Sequence, residues 1–181
     1  MVCAKFLYFY ENSLLKQIFI IRHAKSDQSF WGNDFERPLN DRGRSDALLM
    51  AKRLLNRQVN IDAWIASPAK RAKKTAEVFA EAFKIEAGKI VFVSALYHAS
   101  PEVFYDVISS LPDDLNNIAV FSHNPGITYF VNTLVEDIKI DNMPTSGLFA
   151  IQTNISRWKE FKPAKKEFLF FDFPKRVVSN G

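Results

Sequence analysis

The sequence is poor in the features that build disulfide-stapled, metal-clipped or membrane-spanning proteins. Cys3 is the lone cysteine among 181 residues. That excludes an intramolecular disulfide and any cysteine-rich zinc site, and it fits a reducing compartment. No apolar stretch approaches the ~18–20 residues a membrane span requires. The aromatic run Phe6-Leu7-Tyr8-Phe9-Tyr10 lacks the longer apolar region and small-residue cleavage site of a secretory signal. The expectation is therefore a cytoplasmic protein with no membrane partner. Internal repeats, low-complexity tracts and domain-length linkers are absent, and so is any nucleic-acid-binding module. Histidine is scarce, present only as His23, His98 and His123.

What is present suits one soluble domain with a full hydrophobic core. Hydrophobic residues make up 48% and charged residues 24%, both ordinary values. The net charge of +4 suggests anionic ligands without naming one. Much of the excess sits late in the chain, at Lys159, Lys162, Lys165, Lys166, Lys175 and Arg176, and reads as a solvated surface.

Strand and helix patterns alternate throughout. Ile18-Phe19-Ile20-Ile21 reads as a strand buried on both faces. A helix is expected from about Asp41 to Arg57, with Ala47, Leu48, Ala51, Leu54 and Leu55 on its apolar face. Ala63–Ala66 is a short strand, and Ser67-Pro68 reads as the start of a helix carrying Ala72, Ala76, Phe79, Ala80 and Phe83. Ile90–Val93 is a strand, and Ser100-Pro101 opens a helix by the same logic. Ile118–Phe121 is a buried strand followed by a helix to about Val135. Two late strands fall near 148–153 and 167–171. This order implies an α/β fold, a single-domain three-layer α/β/α sandwich around a mostly parallel sheet. Residues 1–15 form an expected N-terminal extension, 16–175 the domain, and 176–181 a C-terminal tail.

Each histidine falls just beyond an expected strand, and ligands of open α/β sheets bind outside the carboxyl ends of the strands. Arg22 adjoins His23, and Arg71 lies in the first turn of the helix after Ser67-Pro68. Two guanidinium groups, up to three imidazoles and helix N-termini at one sheet edge suit a dianionic phosphoryl group. Taken singly, each residue has a plain explanation, a satisfied strand-end histidine or a surface helix charge. Arg22 is the exception, since a charge ending a fully apolar strand needs a partner or water.

Five ordered segments carry a resemblance: Arg22-His23-Ala24-Lys25-Ser26; Arg37-Pro38-Leu39 with Arg42-Gly43; Ser67-Pro68-Ala69-Lys70-Arg71-Ala72 with Thr75-Ala76; Ser122-His123-Asn124-Pro125-Gly126; and Asn142-Met143-Pro144-Thr145. Together they resemble the histidine phosphatase superfamily, whose fold is phosphoglycerate mutase-like, and most of all its small bacterial phosphohistidine phosphatases. The resemblance implies that His23 is a nucleophile forming a phosphohistidine intermediate, with Arg22, Arg71 and His123 around the phosphoryl group. It implies no cofactor and no metal. The cationic neighbours are expected to lower the His23 pKa and keep its imidazole neutral and nucleophilic.

The pattern departs from the superfamily after the third strand, where Leu96-Tyr97-His98-Ala99 has histidine in place of the expected glutamate. His98 can be the acid, Glu102 can replace it, or a phosphohistidine leaving group needs no strong acid. About 160 matched residues leave little room for an inserted lid, which favours an open site and a phosphorylated protein as substrate. Phe30, Trp31 and Phe35 either wall the site or pack their own loop down. The alternatives are a phosphatase or mutase for a small phosphorylated metabolite, a zinc hydrolase using the three histidines, and a non-catalytic phosphate-binding module. The zinc reading lacks i, i+4 histidine pairing and sets two arginines against a cation.

Overall fold

The computed structural model describes residues 15–176. The expected N-terminal extension thus lies outside the described residues, apart from Leu15, as does the tail beyond Arg176. The strands are β1 (Leu15–Arg22), β2 (Ala63–Ala66), β3 (Ile90–Phe92), β4 (Asn117–Ser122), β5 (Leu148–Asn154) and β6 (Lys166–Asp172). The helices are α1 (Asp41–Leu55), α2 (Lys70–Ala82), α3 (Pro101–Ser109) and α4 (Gly126–Leu134). They build one six-stranded sheet in the order β3-β2-β4-β1-β5-β6. The first four strands in that order are parallel. β5 and β6 add an antiparallel pair at the β1 side.

β1 shows why the sheet needs cover on both faces. Its side chains alternate: Ile18 and Ile20 join one buried cluster with Phe104, Ile108, Ile127 and Phe130 of α3 and α4. Phe19 and Ile21 join another with Ala47, Leu54, Ala76 and Phe79 of α1 and α2. Period-two alternation thus feeds two cores, one per face. The result is the expected three-layer sandwich.

Two local expectations need correction. On α1 the buried stripe is Gly43, Ala47, Met50, Ala51 and Leu54, whereas Leu48 and Leu55 are 42% and 41% exposed. Met50 takes the core position because it lies three residues from Ala47, on the same helical face. Ser67 is not the cap of α2; Ala69 precedes its first residue and no side chain caps it. Ser67 instead prolongs the strand end, its N–H donating to Phe121 O at 2.9 Å. At α3 the expectation holds in position, with Ser100 at the cap and Pro101 in the first turn.

Two glycines let backbone segments meet at the carboxyl edge. A Cβ on Gly43 would stand 2.0 Å from Lys25 O, and one on Gly126 would stand 1.8 Å from Ala99 O. α1 and α4 can therefore press directly on the segments that follow β1 and β3. Among the described residues, no helix is long and apolar enough to cross a membrane.

Candidate active site

Strand register brings the two central histidines together. β1 and β4 pair with Arg22 opposite Ser122, so His23 and His123 are the first residues past the paired ends. Neighbouring strands lie about 4.8 Å apart, and the two imidazole centroids are 5.1 Å apart. Both rings are buried. β2, on the other side of β4, delivers Ser67, whose Oγ is 2.7 Å from His123 Nε2.

The tautomer of His23 follows from its partner. Nδ1 lies 2.8 Å from Ala24 O, and a carbonyl can only accept, so Nδ1 carries the proton and Nε2 the lone pair. Arg71 Nε donates to that Nε2 at 3.3 Å. Arg71 is 4% exposed and held from behind through Thr75, whose Oγ1 donates to Arg71 O at 2.7 Å and accepts from Ala24 N at 2.9 Å. α2 is thereby bolted to the segment that bears the nucleophile candidate. Arg22 donates through Nη1 to Met143 O; its Nε is buried with no partner among the described residues.

Burial, more than charge, keeps these imidazoles neutral. Desolvation is the main cause that brings His23 down to about 3; Arg71, Arg22 and Arg37 add to it, while the Ala24 carbonyl opposes it. His123 is lowered to about 2 by burial first, then by His23, Arg71 and His98. The expectation that cationic neighbours are the cause is therefore corrected: they reinforce a depression set by depth. Burial and the Arg71 charge also lower the Arg22 pKa, and an arginine has ample margin to stay charged.

Arg22, His23, Arg71 and His98 all line one cavity of about 840 Å³. His123 sits behind His23. His98 is exposed at the rim, in left-handed backbone with φ 57°, its ring 4.0 Å from that of Tyr97. It makes no side-chain hydrogen bond among the described residues. Glu102 is exposed on the first turn of α3 and does not line the cavity. Asn124 joins the floor to the 142–145 segment: Thr128 Oγ1 donates to Asn124 Oδ1 at 2.7 Å and accepts from Met143 N at 3.0 Å.

The sequence gives no signal for Asp34. Its carboxylate accepts from Arg71 Nη2 at 2.9 Å and from the Tyr97 hydroxyl at 3.0 Å, and its carbonyl accepts from Arg71 Nη1 at 2.6 Å. Arg37 pairs with the other carboxylate oxygen at 2.8 Å. Partial burial pushes the Asp34 pKa up, but the Tyr97 hydroxyl and the Arg71 guanidinium outweigh it and bring it to about 2. Asp34 is thus an anion sitting on the cation that a phosphoryl group would need. Six cationic side chains and two carboxylates line the cavity, which suits an anionic ligand. Among the described residues, no group of three or more His, Cys, Asp or Glu side chains is arranged to hold a metal ion.

Residues 18–90 match the histidine phosphatase superfamily (branch 1). The match runs from within β1 to the first residue of β3. The chain's structure is similar to that of the protein histidine phosphatase SixA complexed with tungstate, at 22% identity and a TM-score of 0.75, covering 87% of this chain and 97% of that one. A protein assigned as the phosphohistidine phosphatase SixA from Agrobacterium tumefaciens aligns at 24% identity and a TM-score of 0.70, covering 86% and 96%. A mycobacterial glucosyl-3-phosphoglycerate phosphatase aligns at 13% identity and a TM-score of 0.62, covering 87% and 97%. At these identities the likeness is one of fold. No curated protein sequence matches the chain.

Proposed function

We propose that the protein hydrolyses phosphohistidine on a protein, without a metal, through a phosphoryl group carried on His23. One observation carries the reading: a buried His23 whose Nδ1–H is tied to Ala24 O presents its Nε2 lone pair between Arg71 and the neutral His123 ring. Phosphoryl transfer asks for in-line placement and neutralised equatorial charge rather than elaborate covalent chemistry. Arg22 and Arg71 supply the charge, and burial strengthens it by excluding water.

The steps balance without an added proton donor. His23 Nε2 attacks phosphorus and forms a new N–P bond while the substrate N–P bond breaks. A substrate imidazole protonated at its other nitrogen departs neutral. His23, now phosphorylated on Nε2 and protonated on Nδ1, is steadied by the Ala24 carbonyl. Water then attacks phosphorus, the Nε2–P bond breaks, His23 returns as neutral imidazole, and the water protons remain on inorganic phosphate. This economy fits an exposed His98 and a remote Glu102. An alkoxide leaving group would need an acid, and His98 at the rim is the group placed to serve it. The SixA likeness supports the choice of substrate, and the metabolite-phosphatase likeness keeps a small phosphate ester as the rival.

The test uses a protein phosphorylated on histidine with labelled phosphate, with and without chelator. Label should pass to this chain, survive alkaline quench, and vanish in His23→Ala. Turnover should exceed that on sugar and glycerate phosphates and ignore the chelator. A preference for the small esters would install the rival. Binding of phosphate without label transfer would make the chain a phosphate-binding module, and loss of activity with chelator restored by zinc would revive the zinc hydrolase.

A further inference from the structure

The segment between His23 and α1 holds an indole with no use in the chemistry above. Trp31 is 98% exposed. A single exposed aromatic needs no explanation on its own; its setting is what matters. The loop around it is fixed at several points. Asp27 N donates to Pro38 O at 2.9 Å, and Asp27 Oδ1 accepts from Ser29 N at 2.9 Å. Asn33 Oδ1 accepts from Phe35 N at 2.9 Å, and the Phe35 ring lies edge-on to Tyr97 at 5.2 Å. The Phe30 ring folds over Gly32, so close that a Cβ there would stand 2.8 Å from it. Phe35 therefore packs the loop and Phe30, 36% exposed, leans on Gly32, whereas the Trp31 indole has no aromatic or cationic partner among the described residues.

Trp31 does not line the cavity but is tethered close to it. Gln28 and Asp34, three residues to either side, both line the cavity, and three residues span at most about 11 Å of chain. The rest of the rim is basic: Lys25, Arg37, Arg42 and Lys175 line the same cavity. Arg37 and Arg42 each have a carboxylate partner, Asp34 and Asp46. Lys25 and Lys175 have none among the described residues. A rigid aromatic anchor beside a cationic rim is the composition of an interface hot spot, where Trp and Arg dominate the energetics. A small metabolite held within the cavity would leave the indole untouched. A macromolecule covering the mouth would bury it.

We propose that Trp31, with Lys25 and Lys175, forms the docking face for a folded protein that carries acidic residues around an exposed phosphohistidine. This rests on the reading of the site as a protein phosphohistidine phosphatase and adds where that protein sits. The indole gives apolar area at little entropic cost, because its loop is already ordered. The lysines favour an acidic partner and steer its approach, an effect that salt weakens.

The experiment compares two substrates, a histidine-phosphorylated acidic protein and phosphoramidate, across wild type, Trp31→Ala, Trp31→Phe and the double variant Lys25→Ala/Lys175→Ala. Trp31→Ala should raise KM for the phosphoprotein about tenfold or more, with kcat for either substrate and KM for phosphoramidate unchanged. Trp31→Phe should recover part of the loss. The lysine pair should raise KM for the phosphoprotein and flatten its salt dependence. A second readout is optical: the other tryptophans, Trp64 and Trp158, are buried, so Trp31 is the quencher-accessible one. Adding phosphoprotein to His23→Ala should shield it from acrylamide. Equal losses on both substrates, or an unchanged phosphoprotein KM in Trp31→Ala, overturn the docking face. If wild type turns over phosphoramidate and small esters but no phosphoprotein, the functional reading itself falls and the docking face falls with it.

Discussion

Replacing Asp34 by asparagine should make the site bind oxyanions more tightly. The Asp34 carboxylate takes Arg71 Nη2 at 2.9 Å and its carbonyl takes Nη1 at 2.6 Å. A phosphoryl group must compete for the same guanidinium while facing a nearby negative charge. Arg71 is buried but the Asp34 carboxyl is 47% exposed, so the pair is screened. Exposed pairs contribute about 0.2–1 kcal/mol, and a comparable amount of like-charge repulsion is relieved when the carboxylate becomes an amide. Together these give roughly 0.4–2 kcal/mol, or about 2- to 30-fold. The assay is competitive inhibition by phosphate or tungstate at pH 7 and low salt, repeated at high salt, where the gain should shrink. Because the Asp34 pKa lies at about 2, acidification from pH 8 to 5 should not mimic the mutation in wild type. An inhibition constant that stays put or rises in Asp34→Asn would refute the reasoning and make Asp34 a helper that holds Arg71 for the substrate.

Three further outcomes can be checked directly. The folded-state pKa values of His23 and His123, about 3 and about 2, lie below the ordinary 6.5. The unfolded chain therefore binds more protons between those values, and stability should be full above pH 6.5 and decline as pH falls through that window. Thermal melts across pH 8 to 4 measure this, while turnover of phosphoramidate should not lose a step at 6.5 from these two rings. Gly43→Ala should destabilise by about 1–3 kcal/mol through overpacking against Lys25 O, whereas Gly88→Ala, with nothing within 4 Å of its Cβ, should leave the melting temperature near wild type. His98→Ala should retain phosphohistidine hydrolysis yet lose more on alkyl phosphate esters; equal loss on both would give His98 a role in binding every substrate.

The core strands were legible because burial leaves a mark in the sequence. Ile18–Ile21 and Ile118–Phe121 are unbroken apolar runs, and each is followed at once by a polar pair containing histidine. That was enough to set Arg22, His23, Arg71 and His123 on one edge. Asp34 was not legible, because its role comes from a contact 37 residues away in the chain and no periodicity marks it. Ser67 misled because its sequence neighbourhood matches a helix cap, while the β2–β4 ladder claims its N–H and His123 claims its hydroxyl. The 47, 48, 51, 54, 55 spacing places Leu48 and Leu55 on the inward face, but the buried stripe is centred on Gly43, Ala47, Met50 and Leu54, and both leucines fall about 100° around α1 from that centre. The depth of His23 cannot be read from its neighbours in sequence, whereas the charges of Arg22 and Arg71 can, so the sequence points to charge where burial is the larger cause.

The pairing of Arg22 with Ser122 joins positions a hundred residues apart along the chain. The His23 and His123 imidazoles therefore meet only after most of the polypeptide has been threaded into the sheet. A ribosome-bound fragment that stops before β4 contains Arg22, His23 and Arg71 yet lacks His123 beside His23, and so should be inert. Appearance of turnover during synthesis or refolding would then report closure of the central strand pair, a strongly non-local event and one expected to be slow.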